Sequence, residues 1–179
     1  MRITASQRRI IVLLVCGWIL MTIVRQTNHL LSPSGLSIWM GGLLITLASL
    51  HLNPKTGFVS CFLMGLMMDA WSPLGFGTHA LLFGAAHIII VRVRNRFASQ
   101  ELTIGITVAL ITNLILFVFI TFIAIGRSSG GTISGVRILS DLVLSQVLLV
   151  LITPWFFSFQ HRALDLVINP RIARSRSTV

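Results

Sequence analysis

Residues 65–80 read GLMMDAWSPLGFGTHA, and the carboxylate of Asp69 stands in them alone. No Asp, Glu, Lys or Arg occurs from 56 to 68 or from 70 to 91. A charged Asp at the centre of a membrane helix costs about 2.5–3.5 kcal/mol on insertion scales, so it needs a partner or a place near the membrane edge. The residues that follow supply such a place. Ser72 is a good helix N-cap, and Pro73 suits a first helical position. The stretch therefore predicts the corner of a helical hairpin. Asp69 ends one helix there and folds back towards the free N–H groups of the next, or pairs with an arginine on the same side of the membrane.

Working outward, composition sets the solvent. The chain has 179 residues, 55% hydrophobic and only 10% charged, with mean hydropathy +0.92. Soluble chains carry about 25% charged residues, so this one is read as an all-α integral membrane protein. A formal net charge of +10 would suit nucleic acid if the basic residues formed one face. They lie instead in short breaks between apolar runs, where they meet anionic lipid headgroups. Nucleic acid is excluded as a partner on that ground. Cys16 and Cys61 both fall inside apolar runs and are read as reduced thiols packing as small hydrophobes. Neither has a second Cys or His at ligand spacing, so no metal site is expected.

Six apolar segments follow, at 10–31, 36–52, 55–71, 73–93, 101–125 and 137–159. The last three easily reach the 17–25 residues that a spanning helix needs. The second and third are short and are divided by Asn53-Pro54-Lys55-Thr56, where proline disfavours helix before it. The first follows Arg2, Arg8 and Arg9 and lacks a small-x-small cleavage site, so it is read as an uncleaved membrane helix. With six spans and a cytoplasmic N-terminus, 11 of the 14 basic residues fall on the inner side. Among these are Arg8, Arg9, Lys55, Arg92, Arg94, Arg96 and Arg162. Only Arg25, Arg127 and Arg137 fall outside. That asymmetry predicts both termini in the cytoplasm. Residues 160–179 are read as a basic cytoplasmic tail, opening with an amphipathic interfacial helix that Pro170 stops.

Small residues mark helix contacts: Gly57, Cys61 and Gly65 at four-residue spacing, and Gly84 in the fourth helix. His79 and His87 share one side of that helix, but no second acid joins them. Asn113, Ser145 and Gln146 are expected to hydrogen-bond across helices. Glu101 and Asp141 are placed in the first turns of the last two helices, where the dipole favours them; Ser99 and Ser140 are nearby caps. None of these forms a nucleophile–base pair, a phosphate loop or paired carboxylates, so catalysis and cofactors are not expected.

Gly65-Leu66-Met67-Met68-Asp69, Ser72-Pro73-Leu74-Gly75 and His79-Ala80-Leu81, followed by the basic Arg92-Val93-Arg94-Asn95-Arg96, resemble the signature of the bacterial rod shape-determining protein MreD family. The motif covers about 30 residues. Size, helix number and the basic N-terminus are also similar, while the arginine-rich C-terminus departs from the family pattern and the first two helices carry no distinctive match. The resemblance implies a place in the cytoplasmic membrane, in cell elongation and peptidoglycan synthesis. It implies as partners an MreC-like protein, an MreB-like filament, a RodA-type polymerase and a class B penicillin-binding protein. It implies a fold similar to the substrate-binding subunits of energy-coupling-factor transporters. Asp69, Pro73, Leu74 and Gly75 are the family-matching positions. Two functions follow: a non-catalytic scaffold, or a vitamin-type transporter subunit. The second requires a polar pocket open to the outside, built from groups such as Asp69, His79 and Asn113. The first requires a closed bundle or an apolar cleft.

Overall fold

The computed structural model describes residues 4–94, 102–127 and 134–168. Among them the chain forms six α-helices and one short 3-10 turn, with no strand. The helices are α1 (Ala5–Leu31), α2 (Gly41–His51), α3 (Pro54–Asp69), α4 (Thr78–Arg94), α5 (Leu102–Arg127) and α6 (Gly135–Ile168). Three stretches are long and apolar enough to cross a membrane: Ser6–Ser34, Thr103–Arg127 and Gly135–Leu166. Many of their exposed residues are large and apolar, including Ile23, Val118, Phe122, Val147 and Trp155, a surface that lipid solvates.

The second helix is the central element and the one whose form differs most from expectation. Its first ten residues are all buried, and it packs against α3, α4, α5 and α6. It has only 11 residues, about 16 Å at 1.5 Å each, roughly half a hydrocarbon core. The expected helix over 36–52 therefore begins five residues late. Before it, Pro33 lies in the 3-10 turn Ser32–Ser34, and Gly35 closes that turn at φ 68, a left-handed conformation that suits glycine. Residues 36–40 are not helical. A hydropathy pattern cannot register this, because the side chains from 36 to 52 are apolar enough for helix or extended chain.

Close approaches fix α2 and α3 among their neighbours. A Cβ on Gly42 would lie 2.5–2.7 Å from backbone atoms of Ala109 and Asn113 in α5. A Cβ on Gly65 would lie 2.4–2.7 Å from the backbone of His79 and Ala80 in α4. Gly57 is closed off by His87 and the Ala48 carbonyl, and Gly84 faces the Phe58 ring. Cys61, fully buried, sits between α2 and α4 near Ser49 and His87.

Two other boundaries differ from the sequence reading. The fourth helix starts at Thr78 rather than 73, because the glycines at 75 and 77 intervene and Gly77 takes φ 93. The last helix starts at Gly135 and runs unbroken to Ile168, with Pro154 inside it. No glycine or proline interrupts 155–168, so the expected interfacial segment continues the axis of α6. Leu164 is buried against the core. The expected roles of Arg96, Ser99 and Glu101, of the 128–132 loop and of the tail from 169 fall outside the described residues.

Candidate functional site

The hairpin between α3 and α4 is built around Asp69, which is 4% exposed. Its Oδ1 accepts from the His79 N–H at 2.9 Å and from His79 Nδ1 at 2.7 Å. Its Oδ2 accepts from Gly77 N–H at 3.0 Å and Ala80 N–H at 3.1 Å. Three of the four donors are backbone groups at the start of α4, which have no partner within the helix. The carboxylate thus caps a helix that begins nine residues later in the chain. The positive end of the α4 dipole favours an anion there.

Ser72 and Pro73 serve the loop rather than the start of a helix. Ser72 donates its N–H to the Asp69 carbonyl at 3.2 Å, and its Oγ accepts from Leu74 N–H at 3.2 Å. The Thr78 N–H and hydroxyl both donate to the Gly75 carbonyl. The expected alternative, an ion pair between Asp69 and an outer arginine, is not formed. Those arginines rest on the loop itself. The Arg25 guanidinium lies 4.5 Å from the centre of the Trp71 ring, and that of Arg127 lies against Gly75.

A second polar cluster holds the non-helical segment before α2. Asn28 of α1 donates to the Ile38 carbonyl at 2.8 Å and accepts from Ile38 N–H at 2.7 Å. Asp141 of α6 accepts from Ser37 N–H at 2.8 Å and from the Ser37 hydroxyl at 2.7 Å. Ser145 Oγ accepts from Trp39 N–H at 2.9 Å. Asn113 of α5 accepts from Gly42 N–H at 3.0 Å and donates to the Trp39 carbonyl at 3.2 Å. Four side chains from three helices thereby satisfy backbone groups that a helix would have satisfied internally. Non-helical backbone at membrane depth is tolerated only where it is enclosed in this way.

This collar was only partly foreseen. Asn113, Ser145 and Gln146 are expected to bond across helices; Asn113 reaches α2 and Gln146 reaches α5, whereas Ser145 bonds to Trp39 in the non-helical segment. Asp141 was expected in a first turn, serving the dipole. The earlier start of α6 puts it in the second turn, and its carboxylate reaches Ser37, 104 residues away. Ser140 is no cap; its hydroxyl bonds to the Val136 carbonyl. Asn28 lies inside the expected first helix, 10–31, and carries no separate expectation.

A third cluster lies at the other end of α2. His87 Nε2 donates to the Pro54 carbonyl at 3.1 Å, and its Nδ1 lies 2.9 Å from Ser49 Oγ. Arg94 donates to the carbonyls of Ser49 at 3.1 Å and Leu52 at 2.7 Å. Arg94 was expected to meet lipid headgroups. Instead it covers the C-terminal carbonyls of α2, where a cation is favoured. Arg8, Arg92 and Arg162 are exposed and Arg9 half-exposed. His79 and His87 sit in separate clusters. Among the described residues no group of three His, Cys, Asp or Glu could hold a metal ion.

The cavity worth naming is a shallow groove of about 360 Å³ between α5 and α6, lined by Leu110, Ile111, Leu114, Leu142, Val143, Gln146 and Val147. It is apolar, and Gln146 turns its Nε2 to the Leu110 carbonyl at 3.3 Å. Gln146 Oε1, like both side-chain polar atoms of the fully buried Gln160, has no hydrogen-bond partner among the described residues.

Fold and hairpin together define an all-helical, multi-helix integral membrane protein in which Asp69, Asp141, Asn28 and Asn113 bond to its own loops and helix ends. Comparison with known families makes this specific. The profile of the rod shape-determining protein MreD family matches residues 7–163. The chain belongs to that family, which places it in rod shape determination. The match extends well beyond the 65–96 motif, takes in the first two helices from residue 7 and ends at 163, early in the basic 160–179 segment. No curated protein and no solved structure matches the chain.

Proposed function

We propose that this chain is a non-catalytic membrane scaffold of the cell-elongation machinery. The family match across residues 7–163 carries that reading. The geometry supports a scaffold over a vitamin-type transporter subunit. A transporter needs Asp69, His79 and Asn113 to face substrate, and each is already bonded to this protein's own loops and helix ends. What remains open to the membrane is the apolar groove and the helix faces, surfaces suited to other helices and to lipid.

The partners in this reading are an MreC-like membrane protein, an MreB-like filament, a RodA-type polymerase and a class B penicillin-binding protein. Isolating the protein in mild detergent from membranes of cells that make it is expected to bring down the MreC-like protein. Recovery of the chain at normal abundance without it would contradict the scaffold role.

The same reading places the protein in the bacterial cytoplasmic membrane with both termini inside. The charge asymmetry supports this, with Arg8, Arg9, Arg92 and Arg162 set to meet anionic headgroups. Reporter fusions after Lys55 are expected to read as cytoplasmic and those after Ser128 as external. The reverse pattern would overturn the orientation.

A further inference from the structure

The hairpin loop that follows Asp69 has a property that shape determination does not explain. Two cations from distant parts of the chain, Arg25 near the end of α1 and Arg127 at the end of α5, rest on one loop. Each is held by a flat or small surface and not by an acid. Arg25 lies over the Trp71 ring, 4.5 Å from its centre. Arg127 lies on Gly75, where an added Cβ would fall 2.7–3.0 Å from its two terminal nitrogens. Positions 71 and 75 are four residues apart, at most about 14 Å even in fully extended chain.

Both guanidiniums are exposed, and neither forms an ion pair or hydrogen bond among the described residues; the ion pair found there is His79–Asp69. The two acids nearest this end, Asp69 and Asp141, have both oxygens occupied by His79, by Ser37 and by backbone N–H groups. The surface is therefore a pair of oriented guanidiniums with no carboxylate among the described residues to neutralise them. The same loop carries exposed Trp71 at 65% and Phe76 at 77%, and Leu30, five residues beyond Arg25 in α1, is 78% exposed.

Guanidinium presents a rigid fork of donors that matches phosphate oxygens. Aromatic and aliphatic side chains next to such a fork suit the boundary between headgroup and acyl chain. We infer that Arg25 and Arg127, seated on the 70–77 loop, form a clamp for the phosphate of an anionic lipid headgroup. Trp71, Phe76 and Leu30 flank the glycerol and upper acyl chain. The clamp is preformed, because Asp69 holds the loop through Gly77 and His79 and the ring of Trp71 and the backbone of Gly75 seat the cations. Binding then costs little side-chain ordering. The site differs from the basic residues Arg8, Arg9, Arg92 and Arg162, which lie at the other ends of their helices.

The test is native mass spectrometry of the full chain in detergent, titrated with phosphatidylglycerol or with diacylglycerol of the same acyl chains. Phosphatidylglycerol adducts are expected on the unaltered protein. They should weaken by about tenfold or more in Arg25→Gln/Arg127→Gln, given the strength of charge-assisted contacts. Arg137→Gln, a cation of the same membrane face that is off the loop, should bind as the unaltered protein does. A thermal melt without added lipid confirms that the double variant is folded. Equal retention of diacylglycerol, undiminished adducts in the double variant, or the same loss in Arg137→Gln would each overturn the clamp. Displacement by millimolar inorganic phosphate would assign the arginines to a free anion, and loss of an acidic protein partner with unchanged lipid adducts would assign them to a protein contact; either result overturns the lipid proposal.

Discussion

Replacing Asp69 with Ala lowers the thermal stability of the detergent-solubilised protein more than any exposed substitution. The change removes the acceptor for three N–H groups at the start of α4 and for the His79 imidazole. Bonds to a charged group are worth about 1.5–3 kcal/mol each, and stranded buried donors cost about 1–3 kcal/mol. Water reaches part of the loop, so the net loss is set at about 3–5 kcal/mol rather than the full sum. At roughly 2–4 °C per kcal/mol for a chain of this size, the melting temperature falls by about 10 °C. Asp69→Asn keeps one acceptor and turns an NH2 towards other donors, so about half that loss is expected. A melt unchanged by Asp69→Ala would mean that the carboxylate does not hold the hairpin.

The collar around residues 36–42 gives the second large effect. Asn113→Leu leaves the Gly42 N–H and the Trp39 carbonyl without partners in an apolar setting. Asp141→Ala does the same to the Ser37 N–H and hydroxyl. Each variant is expected to lose about 3 kcal/mol, since unpaired backbone groups in a membrane interior cost several kcal/mol before relaxation. The two losses should not add. Both side chains restrain the same short segment, so once one has let it go the other has less to hold. A cysteine at Met40, which is 4% exposed, reports the release: thiol reagent is excluded in the parent and admitted in each variant. Equal protection in all forms would show that the segment holds its place without the collar.

The hairpin was legible because Asp69 is a charge among some three dozen uncharged neighbours, and because the groups it binds lie within 11 residues of it. A local conflict in the sequence had a local resolution. Glycines at 75 and 77 then moved the start of α4 from 73 to 78, a detail that Ser72-Pro73, a good helix opening in isolation, concealed. The collar was not legible in the same way. Its bonds join residues 10 to 106 apart, and nothing about Asp141 in α6 announces a serine in the segment before α2. The short α2 was hidden for a related reason: hydropathy records side chains, whereas the break is in the backbone. The available signals were Gly35 and Gly41-Gly42, together with Ser37 inside an apolar run. Arg94 was misplaced because a cation at a helix end reads equally well as a headgroup contact or as a cap for a neighbouring helix.

In the scaffold role proposed above, this bundle keeps cells rod-shaped and carries no substrate. The most direct measurement is the length-to-width ratio of rod-shaped cells as the protein is depleted. The ratio is expected to fall towards one, with restoration by the unaltered chain and weaker restoration by Asp69→Ala in proportion to its lost stability. Cells that stay rod-shaped after full depletion while losing uptake of a small molecule would contradict that role.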